Sequence, residues 1–84
     1  MPEVTLNFWA GARAAAGTPT EVVEASSVAE ALEVVLTRHA DPHFTRVIRA
    51  SSLLLDAVSV SGAALDRRLE APAVVEVLPP FAGG

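Results

Sequence analysis

Val74-Val75-Glu76-Val77-Leu78-Pro79-Pro80-Phe81-Ala82-Gly83-Gly84 closes the chain, and its reading decides the fold. Residues 74 to 78 form an almost continuous apolar run, which predicts a strand buried in the interior of a sheet. Proline lacks an amide hydrogen and holds φ near −65°, so Pro79-Pro80 ends that strand and carries the chain on extended. Phe81 to Gly84 then spans roughly 13 Å at about 3.3 Å per residue. The two glycines leave the final carboxylate without a side chain within two residues of it. Such a stalk suits delivery of a carboxyl group into a narrow channel of a partner enzyme. The expected organisation is one domain over residues 1–80 and a flexible Gly-Gly tail over 81–84.

The other strands and helices are read outward from this end. Val4-Thr5-Leu6-Asn7-Phe8-Trp9 alternates apolar and polar positions, a strand signal that puts Val4, Leu6 and Phe8 on one face and Thr5, Asn7 and Trp9 on the other. Ala10 to Ala16 reads as one or two helical turns stopped by Gly17. Thr20 to Ala25 is a second strand, admitting Pro19 only at its start, and it pairs antiparallel with the first. Ser27-Val28-Ala29-Glu30 is a capping box. From it Val28, Leu32, Val35, Leu36 and His39 recur at helical spacing beside Ala31, so a helix is expected over Val28 to Ala40, ended by Asp41-Pro42. Phe44 to Arg49 is compatible with a short helix but is not decided by its pattern. Ser52 to Leu55 reads as strand, turning into Val58-Ser59-Val60 either at Asp56-Ala57 or later at Ser61-Gly62. The fold class is α+β: a mixed sheet with one main helix packed on one face, and the first and last strands parallel neighbours.

Composition narrows the function. Eighty-four residues that are 51% hydrophobic and 19% charged supply the core of one small domain. The net charge of −4 argues against nucleic acid and for a basic docking surface on a partner. There is no cysteine, so neither disulfides, zinc–thiolate sites nor a catalytic thiol come from this chain. All six basic residues are arginine. A chain without lysine accepts no isopeptide bond on a side chain, so in conjugation chemistry it is a donor. No segment approaches the roughly 18 apolar residues of a membrane span, and no signal peptide opens the chain, so the expected location is cytoplasmic. His39 and His43 are separated by Pro42 and find no third ligand, and they read as helix-end residues. No nucleophile elbow and no phosphate-binding glycine loop is present, and no metal site is expected. The Gly84 carboxylate is the one unusual reactive group.

The ending Leu78-Pro79-Pro80-Phe81-Ala82-Gly83-Gly84 resembles that of the MoaD/ThiS sulfur carriers, which are ubiquitin-like β-grasp proteins. Phe8-Trp9-Ala10-Gly11-Ala12-Arg13-Ala14-Ala15-Ala16-Gly17 matches the same family near its amino terminus, and the likeness is strongest to the molybdopterin synthase small subunits. An Asn-Gly hairpin common in the family is absent here. The resemblance implies that Gly84 is adenylated by a ubiquitin-activating-like adenylyltransferase at the expense of ATP and then converted to a thiocarboxylate. Gly83 and Gly84 fit the tail into the large subunit of molybdopterin synthase, which supplies the catalytic side chains; the sulfur passes to a pyranopterin precursor, and two such pairs form a heterotetramer. The chain itself binds no cofactor. Trp9 and Leu78 map onto apolar docking positions, with Arg13, Phe81 and Ala82 as further candidate contacts. Trp9 is either a core aromatic or a surface anchor. Phe81 either plugs the channel mouth or packs on its own domain, and Arg13 either pairs with an acidic partner or solvates its helix. The alternatives for the whole chain are a carrier feeding cysteine, thiazole or another sulfur metabolite, a ubiquitin-like protein modifier, and an interaction module with an idle tail.

Overall fold

The computed structural model describes residues 1–80. The tail at 81–84, with the candidates Phe81, Ala82, Gly83 and Gly84, lies outside the described residues. Along the chain run β1 (Glu3–Phe8), α1 (Ala10–Ala16), β2 (Thr20–Glu24), α2 (Val28–His39), α3 (Pro42–Ala50), β3 (Ser52–Leu55), β4 (Val58–Val60), a 3-10 turn (Gly62–Asp66) and β5 (Ala73–Leu78). The sheet order is β2-β1-β5-β3-β4. β1 and β5 are parallel, and the other neighbours are antiparallel. This is the mixed-sheet, β-grasp arrangement expected from the sequence, with the last strand at the centre.

The period of two along each strand fixes which residues the helices cover. Val4, Leu6 and Phe8 of β1, Val23 of β2, Leu53 of β3, and Val75 and Val77 of β5 are buried. They meet Ala12 of α1, Val28, Ala31 and Val35 of α2, and Phe44 and Ile48 of α3 in one core. The apolar run of β5 does lie in the middle of the sheet, but only one of its faces is covered. Val75 and Val77 are inaccessible, whereas Val74 keeps 39% of its surface in solvent. The strand is interior to the sheet, as expected, but among the described residues no layer packs on its second face.

Local chemistry sets the helix limits. Ser27 Oγ accepts the Glu30 amide at 3.1 Å, and Glu30 Oε1 reaches back to the Ser26 amide at 2.6 Å and its hydroxyl at 3.1 Å. The box thus closes one residue earlier than its usual form. α2 ends at His39, one residue short of expectation, because Ala40 turns to φ 48° and donates to the Leu36 carbonyl. Asp41-Pro42 also begins α3: Asp41 accepts the His43 amide, and Pro42 occupies a first-turn position where no amide is needed. That settles Phe44 to Arg49 as helix.

The hairpin turn is Asp56-Ala57. Leu55 pairs with Val58, and both turn residues have positive φ, 47° and 71°. That is the two-residue primed turn whose twist matches the strands. Ser61-Gly62, the other candidate, opens the 3-10 turn instead.

Candidate docking face at the exit of the chain

Because β1 and β5 are parallel, they finish at the same end of the sheet. Phe8 pairs with Val77, and the Trp9 amide donates to the Val77 carbonyl at 3.2 Å. β3 begins at that end too, with Ser52 opposite Leu78. The chain therefore leaves the central strand at Leu78-Pro79-Pro80 beside Trp9.

Trp9 is on the surface, 50% exposed, on the face carrying Thr5 and Asn7. Its indole Nε1 donates to Glu76 Oε1 at 2.7 Å. Asn7 Nδ2 donates to Glu76 Oε2 at 3.0 Å, and the Thr20 hydroxyl donates to Asn7 Oδ1 at 2.9 Å. Register explains the chain of bonds, since Asn7 stands opposite both Thr20 and Glu76. Leu78 is half-buried and shares this face through its alternation with Glu76 and Val74. Val22 of β2, 46% exposed, extends the apolar area toward the sheet edge.

Arg13 is exposed on α1, the helix that starts immediately after Trp9, and it meets no carboxylate among the described residues. The structure thus brings Trp9, Leu78 and the start of α1 to one end of the sheet. Sequence reasoning missed Glu76, Asn7 and Thr20. The signal for Glu76 was present: it is the one charged residue in the run Val74 to Leu78, at the spacing that puts it with the uncovered positions.

The face is acidic. Among the described residues no arginine lies in a strand. Glu3 stands directly opposite Glu24, both exposed, a like-charge pairing that costs the sheet a little stability. A basic surface is its electrostatic complement.

The histidines are held elsewhere. The His39 ring contacts the Glu21 carboxylate and stacks on Phe44 with centroids 3.9 Å apart. Phe44 in turn meets Phe8 edge-on at 5.8 Å, so His39 continues the core to the end of α2. His43 is exposed. Among the described residues no group of three or more His, Asp or Glu side chains is placed to hold a metal ion. On the helix side, a groove of about 580 Å³ runs between α2, the end of α3 and the β3–β4 hairpin over Leu32, Leu36, Ile48, Leu53 and Val60. Neither histidine nor aspartate lines it, and its two charged residues, Glu33 and Arg49, approach each other to 3.9 Å. It contains no nucleophile with an adjacent base.

No protein-family model matches the chain, and no curated protein sequence does. Solved structures do. The small archaeal modifier protein 1 from Methanosarcina acetivorans superposes with a TM-score of 0.81 at 23% identity, over 100% of this chain and 98% of that one. A protein assigned as molybdopterin converting factor subunit 1 from Pyrococcus furiosus gives 0.77 at 22% identity, over 96% and 100%. A complex of subunits 1 and 2 of molybdopterin-converting factor from Helicobacter pylori gives 0.68 at 18% identity, over 98% and 99%. Likeness of this kind, end to end and at low identity, establishes the architecture: the chain has the ubiquitin-like β-grasp fold that these modifier and converting-factor proteins share.

Proposed function

We propose that this chain is a sulfur carrier acting as the small subunit of molybdopterin synthase. In this reading the Gly84 carboxylate attacks the α-phosphate of ATP in a ubiquitin-activating-like adenylyltransferase, releasing pyrophosphate. A sulfur nucleophile then displaces AMP from the acyl adenylate, leaving a thiocarboxylate. The tail enters the large subunit, where the sulfur passes to a pyranopterin precursor. The chain contributes the donor group and the docking face, the large subunit contributes the catalytic side chains, and the work is cytoplasmic. Gly83 and Gly84 add no side chain to the tail, and Trp9, Leu78 and Arg13 contact the partners together with Phe81 and Ala82.

One observation carries the reading: the sequence that ends in Gly83-Gly84 leaves the sheet from its central strand, beside an exposed aromatic on an uncovered face. The full-length likeness to converting-factor subunit 1, in one case complexed with subunit 2, supports the same partner. A second reading, a ubiquitin-like protein modifier, is favoured by the likeness to small archaeal modifier proteins, and a lysine-free chain suits a donor in that chemistry too.

The test is intact mass after incubation with the activating enzyme, ATP and a sulfur source. The mass should rise by the oxygen-to-sulfur difference, and a chain lacking Gly84 should not change. Mixing the product with the large subunit and the pyranopterin precursor should then give a dithiolene. No mass change rejects a sulfur carrier. A mass change without dithiolene rejects the molybdopterin assignment, and a ladder of lysine conjugates in cell extract favours the modifier.

A further inference from the structure

Trp9 has half its surface in solvent, yet its indole is tied down. Glu76 takes the indole N–H on one carboxylate oxygen at 2.7 Å and the Asn7 amide on the other at 3.0 Å. Asn7 is itself oriented by the Thr20 hydroxyl at 2.9 Å. Four side chains from β2, β1, β5 and the start of α1 thus end in a single ring orientation. Core packing does not require this, because the whole chain of bonds lies on the uncovered face.

We propose that Glu76 is a positioning residue that clamps Trp9 as a rigid anchor for the partner that receives the tail. The proposal rests on the docking role given to this face above. Both oxygens of Glu76 are engaged by neutral donors, so its work is done inside this chain. The partner then needs an apolar or aromatic pocket for the indole, with its basic residues set against the exposed Glu3 and Glu24 rather than against Glu76. An unclamped, exposed side chain loses rotamer freedom when it is bound; here that loss is already taken on folding.

Glutamine at position 76 distinguishes a clamp from a charge read by the partner. Its carbonyl still accepts the indole N–H, and its amide donates to Asn7 once the Asn7 amide turns over. Asn7 then donates to the Thr20 hydroxyl, which accepts as readily as it donates. The clamp survives and the charge is gone.

Trp9 is the single tryptophan, and there is no tyrosine, so fluorescence reports this ring alone. The experiment measures anisotropy decay of the free full-length chain and its affinity for the molybdopterin synthase large subunit. Glu76→Ala should add a fast local motion of the indole and weaken binding about fivefold. Glu76→Gln should retain the slow decay and bind like the wild type. Trp9→Phe, which removes the N–H together with part of the anchor and leaves the fold untouched on its covered face, should weaken binding at least as much as Glu76→Ala, and adding Glu76→Ala to it should cost nothing further.

Equal weakening by Glu76→Gln and Glu76→Ala overturns the proposal, because the partner then reads the charge. Unchanged indole motion in Glu76→Ala overturns it as well. If the wild type does not bind the large subunit, the partner assignment above fails by itself. The anisotropy comparison then decides the clamp: added motion in Glu76→Ala supports it and unaltered motion rejects it.

Discussion

Replacing Ala57 by glycine should stabilise this protein, although it removes a methyl group and adds no contact. Ala57 sits at φ 71° in a two-residue turn, next to Asp56 at φ 47°. An L-residue with a Cβ in that region carries roughly 1–2 kcal/mol of steric cost. Glycine carries none of it but loses about 0.5–1 kcal/mol more backbone entropy on folding. The difference is a gain of about 0.5–1 kcal/mol, or a rise of roughly 2–8 °C in Tm for a domain of this size. Asp56 must stay for the comparison to be clean. Its carboxylate accepts the Val74 amide at 2.9 Å and its own amide donates to the Val74 carbonyl at 2.9 Å, which ties the hairpin to the start of β5. Far-UV circular dichroism against temperature measures the shift. Ala14→Gly, on the exposed face of α1, is the control and should lower Tm, since there glycine brings only its entropic cost. A fall in Tm for Ala57→Gly would refute the assignment of Asp56-Ala57 as a primed turn, and with it the register of β3 against β4.

Phe44→Ala should cost about 3–5 kcal/mol in urea unfolding, because it removes the ring that joins Phe8 to His39. That is a large share of the roughly 4–13 kcal/mol expected of a chain of this length, so a loss near 1 kcal/mol would contradict the packing described. Ser27→Ala should cost about 1 kcal/mol and Ser27→Gly only a few tenths, measured the same way, since glycine is itself a tolerated cap. Together with the mass change that depends on Gly84 and the Glu76 variants, these separate the fold, the tail and the docking face.

Where a feature depends on neighbours in sequence, it was legible. The alternation Val4-Leu6-Phe8 gave the buried face of β1, and Ser27 with Glu30 gave the start of α2. Asp41-Pro42 gave the break after α2, but the same pair starts α3, and a short helix held by burial of Phe44 and Ile48 has too few turns to declare itself by pattern. The choice between Asp56-Ala57 and Ser61-Gly62 failed for a different reason. Glycine is the usual marker of positive φ, and Gly62 does take φ 58°, but it does so at the start of the 3-10 turn, while the hairpin is made by an aspartate and an alanine in that conformation.

The candidate site divides along the same line. Its residue types and the Gly83-Gly84 ending belong to the sequence, and so does the placement of Trp9 opposite Leu6 and Phe8, because side-chain direction in a strand is set by the pleat. Whether that second face is covered is not a local property. It depends on where α1, α2 and α3 pack, and all three pack on the other side. An apolar run such as Val74 to Leu78 looks the same in a strand covered on one face or on both. The Trp9–Glu76 contact joins residues 67 apart in the chain. Only the parallel pairing of β1 with β5 brings the first strand's end to the last strand's carboxylate, and so determines what stands beside the point where the chain leaves the sheet.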